Sequence, residues 1–331
     1  MATSAFCSSR PLVGDAAPTD LRVMIEQRST IAATAELDRL ITELRRRHGE
    51  TVQAVLFYGS CLRSGNLYDG LVDLYLIVDG YRTFYRAWLR AFANWLLPPN
   101  VFYLQIGDGH QVLRAKYAVV SARDFARGTS PRWFHSYLWG RFTQPVALAY
   151  ARDTAAGAHV LDCLTHSIVT FLDRVLPRVA DSGTLRALWV EGLQLSYHAE
   201  LRAESGDRTR ELVEHHADYY AAVTRAAQPH LRDELRIVPA ASGATYRTRI
   251  GAPRRAVARI AWPVRQAQGK LLSLLRLFKA LFTFEGGLDY IAWKLERHSG
   301  QTVTIPARVR RYPLIFVWGL AWQLYRRGVF R

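Results

Sequence analysis

The chain has 331 residues, half of them apolar, which is enough for a large buried core and excludes a disordered tail or a minimal module. Its 44 Lys+Arg against 28 Asp+Glu leave a net charge of +16, and residues 231–331 hold 19 basic and 5 acidic residues, so +14 of that excess lies in the last third. This asymmetry predicts a polyanionic partner at the C-terminal end, nucleic acid or an anionic membrane surface, and a different task for the near-neutral first 230 residues.

Cys7, Cys61 and Cys163 are widely spaced and contain no C-x-x-C pair, which argues against a disulfide framework or a Cys-rich zinc site and fits a reducing compartment. Only Lys116, Lys270, Lys279 and Lys294 among the cations are lysines, an Arg preference that fits a GC-rich bacterial genome. No apolar h-region marks a secretory signal. The most apolar stretch, 314–325, has about 12 residues where a spanning helix needs roughly 20, so a chain that lies on a membrane is expected rather than one that crosses it.

In chain order, residues 1–28 read as a loose leader. Ser29-Thr30 then offers an N-cap for an amphipathic helix carrying Leu37, Leu40, Ile41 and Leu44 on one face. Val52–Tyr58 is a β-type run halted by Gly59-Ser60, and Val72–Val78 is a second. A helix is predicted over 81–97, with Phe84, Trp88, Phe92, Trp95 and Leu96 at helical spacing, ended by Pro98-Pro99. Strand-like runs at 101–106 and 116–121 flank a Gly-Asp-Gly turn. Periodicity is mostly helical from about 136 to 227, and the Pro- and Gly-bearing 228–253 reads as a linker or exposed loop. The pattern predicts an α/β (α+β) fold.

The chemistry concentrates in Phe57 to Asp79, FYGSCLRSGNLYDGLVDLYLIVD. A strand ends in Gly-Ser, a loop follows, and Asp73 sits on the next strand among apolar neighbours. Glycine lets the backbone approach a triphosphate, and a hydroxyl with nearby N–H groups holds its phosphates. A strand-borne carboxylate fixes a metal more firmly than a loop would. This stretch resembles the nucleotidyltransferase signature of the polymerase-β superfamily, with Leu71 where the first acid of the D-h-[DE] triplet would fall and Asp69 out of phase on the loop.

Later segments narrow the resemblance. Lys116-Tyr117, Trp133, Tyr137-Leu138, Gly140-Arg141, Gln144-Pro145-Val146, and Ser196-Tyr197 with Glu200 and Arg202, resemble in order and spacing the mitochondrial translocator-assembly-and-maintenance family. Its members are phosphatidate cytidylyltransferases, that is, CDP-diacylglycerol synthases. The likeness extends over about residues 50–300, and Glu200 replaces the family's usual Asp. The resemblance implies transfer of CMP from CTP to phosphatidic acid with Mg²⁺ of the two-metal type. It implies Tyr58, Gly59 and Ser60 on the nucleotide, Asp73 and Glu200 on metal, and Asp69 as a further candidate ligand. Lys116 and Arg202 would neutralise phosphate charge, with Arg141 a weaker candidate.

The implied organisation is the leader, a nucleotidyltransferase domain over 29–150, a mainly helical domain over 151–253 contributing to the active site, and a basic amphipathic membrane-binding region over 254–331. Within the last, 270–284 puts Leu271, Leu274, Leu275, Phe278, Leu281 and Phe282 on one side with Lys270, Arg276 and Lys279 at its margins, which suits an interfacial helix. Residues 312–330, with Trp318, Trp322 and Tyr325, are a second such segment. The expected partners are therefore CTP and an anionic phospholipid membrane bearing phosphatidic acid, with no nucleic acid. The expected place is peripheral, on the cytoplasmic face of a bacterial inner membrane or the matrix face of a mitochondrial one. A nucleotidyltransferase acting on nucleic acid or another acceptor, and an inactive nucleotide-binding scaffold, are the rival readings. His215-His216 has no further ligand at a metal-binding offset and reads as surface.

Overall fold

A computed structural model describes residues 19–31, 34–107, 111–200, 206–239 and 244–283, with isolated positions from 287 to 309. Helices α1 (Thr19–Ser29) and α2 (Ala35–His48) precede strand β1 (Val52–Tyr58), the short helix α3 (Ser60–Ser64) and strand β2 (Val72–Val78). Next come α4 (Tyr81–Phe84), α5 (Trp88–Leu96), β3 (Asn100–Ile106), β4 (Leu113–Ser121), α6 (Ala122–Thr129) and β5 (Ala147–Ala151). Helix α7 (Thr154–Val175), β6 (Ser182–Thr184), α8 (Leu185–Tyr197), α9 (Gly206–His215) and α10 (Ala217–Ala227) follow. Strands β7 (Glu234–Val238) and β8 (Thr245–Arg249) lead into α11 (Ala252–Thr283).

The class is mixed α/β. Five strands are ordered β3-β4-β2-β1-β5, with β2 and β4 parallel and every other neighbouring pair antiparallel. Because side chains alternate along a strand, each face of this sheet collects its own core. Val55, Phe57, Leu74, Leu76, Tyr117 and Val119 pack with the Leu37, Leu40, Ile41 and Leu44 stripe of α2. Ala54, Leu56, Tyr75, Ile77, Ala118 and Val120 face the other way, and that core continues through Phe171 of α7, Trp189 of α8 and Tyr220 of α10 to Trp262 of α11. On that second face the sheet and helices α7, α8, α10 and α11 thus share one core. Over Thr154–Arg178, α7 is long and apolar enough to cross a membrane, yet 72% of its apolar window is buried, as befits a core helix.

Several expectations need correction. Residues 19–28 are not loose: they form α1, which buries Leu21 and Ile25. Ser29 closes that helix, and the cap of α2 is Thr34, whose Oγ1 accepts from the Leu37 N–H at 3.3 Å. The helix predicted over 81–97 is broken at Tyr85–Ala87 into α4 and α5. Its aromatics also point outward: Trp88 is 70% and Trp95 61% exposed, while Ala91 and Asn94 face the protein. The Asn94 amide donates to the Val119 carbonyl at 3.1 Å, so a polar side chain supplies this helix's anchor. The supposed linker at 228–253 contains β7 and β8, which pair with each other, and β8 also pairs with β6, giving a second sheet in the order β6-β8-β7. Residues 312–330 lie outside the described residues.

Candidate active site

The sheet face shared with the helices ends in an open cleft. Strand register aligns Tyr58 with Asp73 across the antiparallel β1–β2 pair and Asp73 with Lys116 across the parallel β2–β4 pair. Asp73, Tyr75 and Ile77 occupy one face by alternation. Tyr75 and Ile77 are covered by the core, whereas Asp73, at the end of the row, emerges into the cleft. Its Oδ1 meets the Lys116 ammonium at 2.9 Å. Burial, followed by the Asp73 charge, raises the Tyr58 hydroxyl above the ordinary tyrosine range and keeps it neutral.

Gly59 links β1 to α3 with φ +90, and a Cβ placed there would stand 2.7 Å from Asp73 Oδ2. Only glycine accepts both the backbone conformation and the approaching carboxylate. Ser60 follows at the first turn of α3 and lines the cleft with Tyr58 and Gly59.

Glu200 comes from the opposite wall. It lies past the end of α8, in a turn where its N–H donates to the Tyr197 carbonyl at 2.8 Å, so it does not belong to a charged helix face. Its carboxylate meets the Arg141 guanidinium at 2.8 Å, with the two side chains 9% and 14% exposed. Arg141 therefore pairs with a buried acid rather than a surface one. Its guanidinium lies 4.8 Å from the centre of the Tyr137 ring, whose hydroxyl accepts from Tyr75 at 3.1 Å. Arg276 of α11 stacks on the same ring at 4.1 Å.

Helix α11 forms the remaining wall. Trp262 Nε1 donates to the Arg174 carbonyl at 3.0 Å, and Arg265 Nε donates to Phe134 at 2.7 Å. Gly269 then crosses the turn before Glu200 so closely that a Cβ would lie 2.0 Å from the Ala199 carbonyl oxygen. Farther along, Arg276 donates to the Pro98 carbonyl at 2.8 Å, and Lys279 donates to those of Pro99 and Leu97. Burial, then the charge of Arg276, holds the Lys279 ammonium down at about 7. Nearby, burial and then Arg276 hold His135 at about 4.

The cleft encloses about 1180 Å³, more than the roughly 300–1,000 Å³ typical of a pocket for one small molecule. Arg63, Lys116, Arg141, Arg208, Arg276 and Lys279 line it, against Asp73, Glu200 and Glu211. A polyanion suits such a wall.

The structure thus brings together Tyr58, Gly59, Ser60, Asp73, Lys116 and Glu200. Asp69 stays on the exposed loop and does not line the cleft, and Arg202 lies outside the described residues. Among the described residues no group of three His, Cys, Asp or Glu side chains is placed to hold a metal. Asp73, the carboxylate that faces Lys116, suits a Mg²⁺ arriving on a triphosphate, which takes one or two protein carboxylates and completes its shell with phosphates and water. Sequence reasoning missed Arg63, Arg208 and His215 in the lining, and placed Arg276 and Lys279 at a helix margin instead of inside. His215 is exposed at the edge of the cleft, in keeping with the surface reading, whereas His216 is half-buried: it lines an adjoining cavity with Arg63, and burial, then the charge of His215, lowers it to about 4.

Neither a scan of protein-family models nor a search of curated proteins returns a match for this chain.

Proposed function

We propose that this chain is a CTP:phosphatidate cytidylyltransferase associated peripherally with an anionic membrane. One observation carries the reading. The cleft that holds Gly59, Ser60, Asp73 and Lys116 is walled by α11 through Ser273, Arg276, Leu277 and Lys279, while α11 turns Leu271, Leu274, Leu275 and Phe278 outward to solvent. A phosphate-binding cleft beside an exposed apolar helix face suits an acceptor with an anionic head and an apolar tail. A nucleic-acid acceptor gives no reason for the apolar face.

In this reading a phosphatidate oxygen attacks the α-phosphorus of CTP. A P–O bond forms to the lipid phosphate, the α–β P–O bond breaks, and pyrophosphate leaves. The nucleophile is already anionic at neutral pH, so positioning and charge neutralisation supply the catalysis. Gly59 admits the phosphate chain, with the Ser60 hydroxyl beside it. Lys116 neutralises charge developing on the phosphates, and Asp73 orients its ammonium. Mg²⁺ carried by the nucleotide would be held by Asp73 and would polarise the phosphate oxygens. The Arg141–Glu200 pair fixes the far wall, and Arg276 with Lys279 faces the acceptor phosphate. The choice of cytosine comes from the family resemblance.

Pyrophosphate release tests this reading. It is expected only when CTP and phosphatidic acid are both present, with CDP-diacylglycerol formed in equal amount. Pyrophosphate release without lipid, or no release with both substrates, contradicts it.

A further inference from the structure

Helix α5 is amphipathic in the reverse sense for a helix on a soluble domain. Its inner side carries Ala91 and Asn94, and its outer side carries Trp88, Leu89, Phe92, Trp95 and Leu96, each at least half exposed. Five large apolar side chains on one nine-residue helix form a contiguous patch that water solvates poorly. We propose that α5 is a second membrane-docking element, which inserts its aromatic face into an anionic bilayer beside the mouth of the cleft.

Charge selects the occupant. No acidic residue occurs between Asp79 and Asp108, while Arg82 and Arg86 lie exposed beside the patch. Helix α11 carries seven cations and no acid in 32 residues. A second copy of the chain on this face would oppose cation to cation, whereas anionic headgroups complement it. Tryptophan is the side chain best suited to the headgroup boundary.

Position links the patch to the site. Lys279 donates to the Leu97 and Pro99 carbonyls, immediately after α5, and Pro99 itself lines the cleft. At roughly 1.5 Å per residue the whole of α5 extends about 13 Å from that junction. The exposed seam of α11, running through Leu271, Leu274, Leu275 and Phe278, reaches the same junction. Two insertion points flanking one opening would fix its orientation to the bilayer, which one helix alone leaves free to roll. This role for the opening rests on the lipid-acceptor reading; the docking itself does not.

The test is co-sedimentation of the full chain with phosphatidylcholine vesicles, with and without phosphatidylglycerol, for the wild type and for Trp88→Ser/Phe92→Ser/Trp95→Ser. The triple variant is expected to bind phosphatidylglycerol-containing vesicles at least about tenfold more weakly, since each buried aromatic contributes strongly to insertion. Equal binding by variant and wild type overturns the proposal, including the case in which another segment or a second copy covers the patch. Brominated acyl chains give a second readout that conservative changes survive: Trp88→Phe and Trp95→Phe should each remove part of the tryptophan quenching. Quenching unchanged in both overturns the proposal. Vesicle binding through α5 without nucleotidyl transfer supports docking and sinks the enzyme reading. Transfer to dibutyryl phosphatidic acid, with vesicle binding indifferent to the α5 changes, does the reverse.

Discussion

Asp73 and Lys116 stand opposite each other across the parallel β2–β4 pair, and their charged groups meet at 2.9 Å where that sheet face opens into the cleft. Both side chains are partly exposed, so the pair contributes about 0–1 kcal/mol to stability. Its importance lies in where it puts a positive charge. Lys116→Met is expected to lower kcat about a hundredfold or more while moving the urea midpoint little. A large stability loss with near-normal turnover of the folded fraction would assign the pair to folding instead.

Two glycines are fixed by close approach rather than by turn chemistry alone. Gly59→Ala sets a Cβ against Asp73 Oδ2 in a left-handed conformation, and should cost about 1–3 kcal/mol and displace the carboxylate. Gly269→Ala sets a methyl group 2.0 Å from the Ala199 carbonyl and must push α11 off the turn that holds Glu200. A loss of about 1–3 kcal/mol in urea unfolding is expected there as well. Wild-type stability for either variant would contradict the packing described.

The Arg141–Glu200 pair is buried, unlike the surface pairs of α2. Removing one partner strands a buried charge, so Glu200→Gln or Arg141→Met should each destabilise by about 3–5 kcal/mol. The double variant should lose less than the sum of the two. A double-mutant cycle by chemical unfolding measures that coupling, and additive losses would show that the two residues act independently.

The legible parts of the fold were those set by short-range pattern. The α2 stripe, β1 and β2 follow from periodicity and from the glycine that ends a strand. Helix α5 shows the limit of that logic: spacing identifies an apolar face but not what it meets, and here Asn94 turns inward while Trp88 and Trp95 turn out. The β7–β8 hairpin was hidden because its inner face mixes apolar Leu235 and Tyr246 with polar Thr248 while Arg236, Arg247 and Arg249 take the outward positions, so few apolar residues mark it, and its pairing with β6 is long-range. In the site, the Gly59–Asp73–Lys116 group was readable from motif and strand. Arg276 and Lys279 were not, because their inward direction depends on where α11 crosses Ala199 and on the carbonyls after α5.

Burial sets the pH dependence of stability in two windows. His135 is held at about 4 against an ordinary 6.5, so the unfolded chain binds more protons between these values. Its contribution is complete above about 6.5 and falls away as pH drops towards 4, by up to about 3 kcal/mol. Lys279 is lowered from 10.5 to about 7, so its buried charge weighs on the folded state most below 7, and stability rises as pH climbs from there towards 10.5. Unfolding free energies measured from pH 4.5 to 9.5 should therefore increase with pH in both windows. His135→Phe should flatten the acidic window and Lys279→Met the alkaline one.

The roles proposed for Gly59, Asp73 and Lys116 all rest on transfer of a cytidylyl group to a lipid phosphate in this cleft. The most direct measurement supplies the purified chain with phosphatidic acid vesicles, Mg²⁺ and each of the four ribonucleoside triphosphates labelled in the α-phosphate, and follows label into the organic phase. Lipid-extractable label is expected from CTP alone, and is abolished by Asp73→Ala. No label from any nucleotide, or label that persists undiminished in the Asp73→Ala protein, would contradict it.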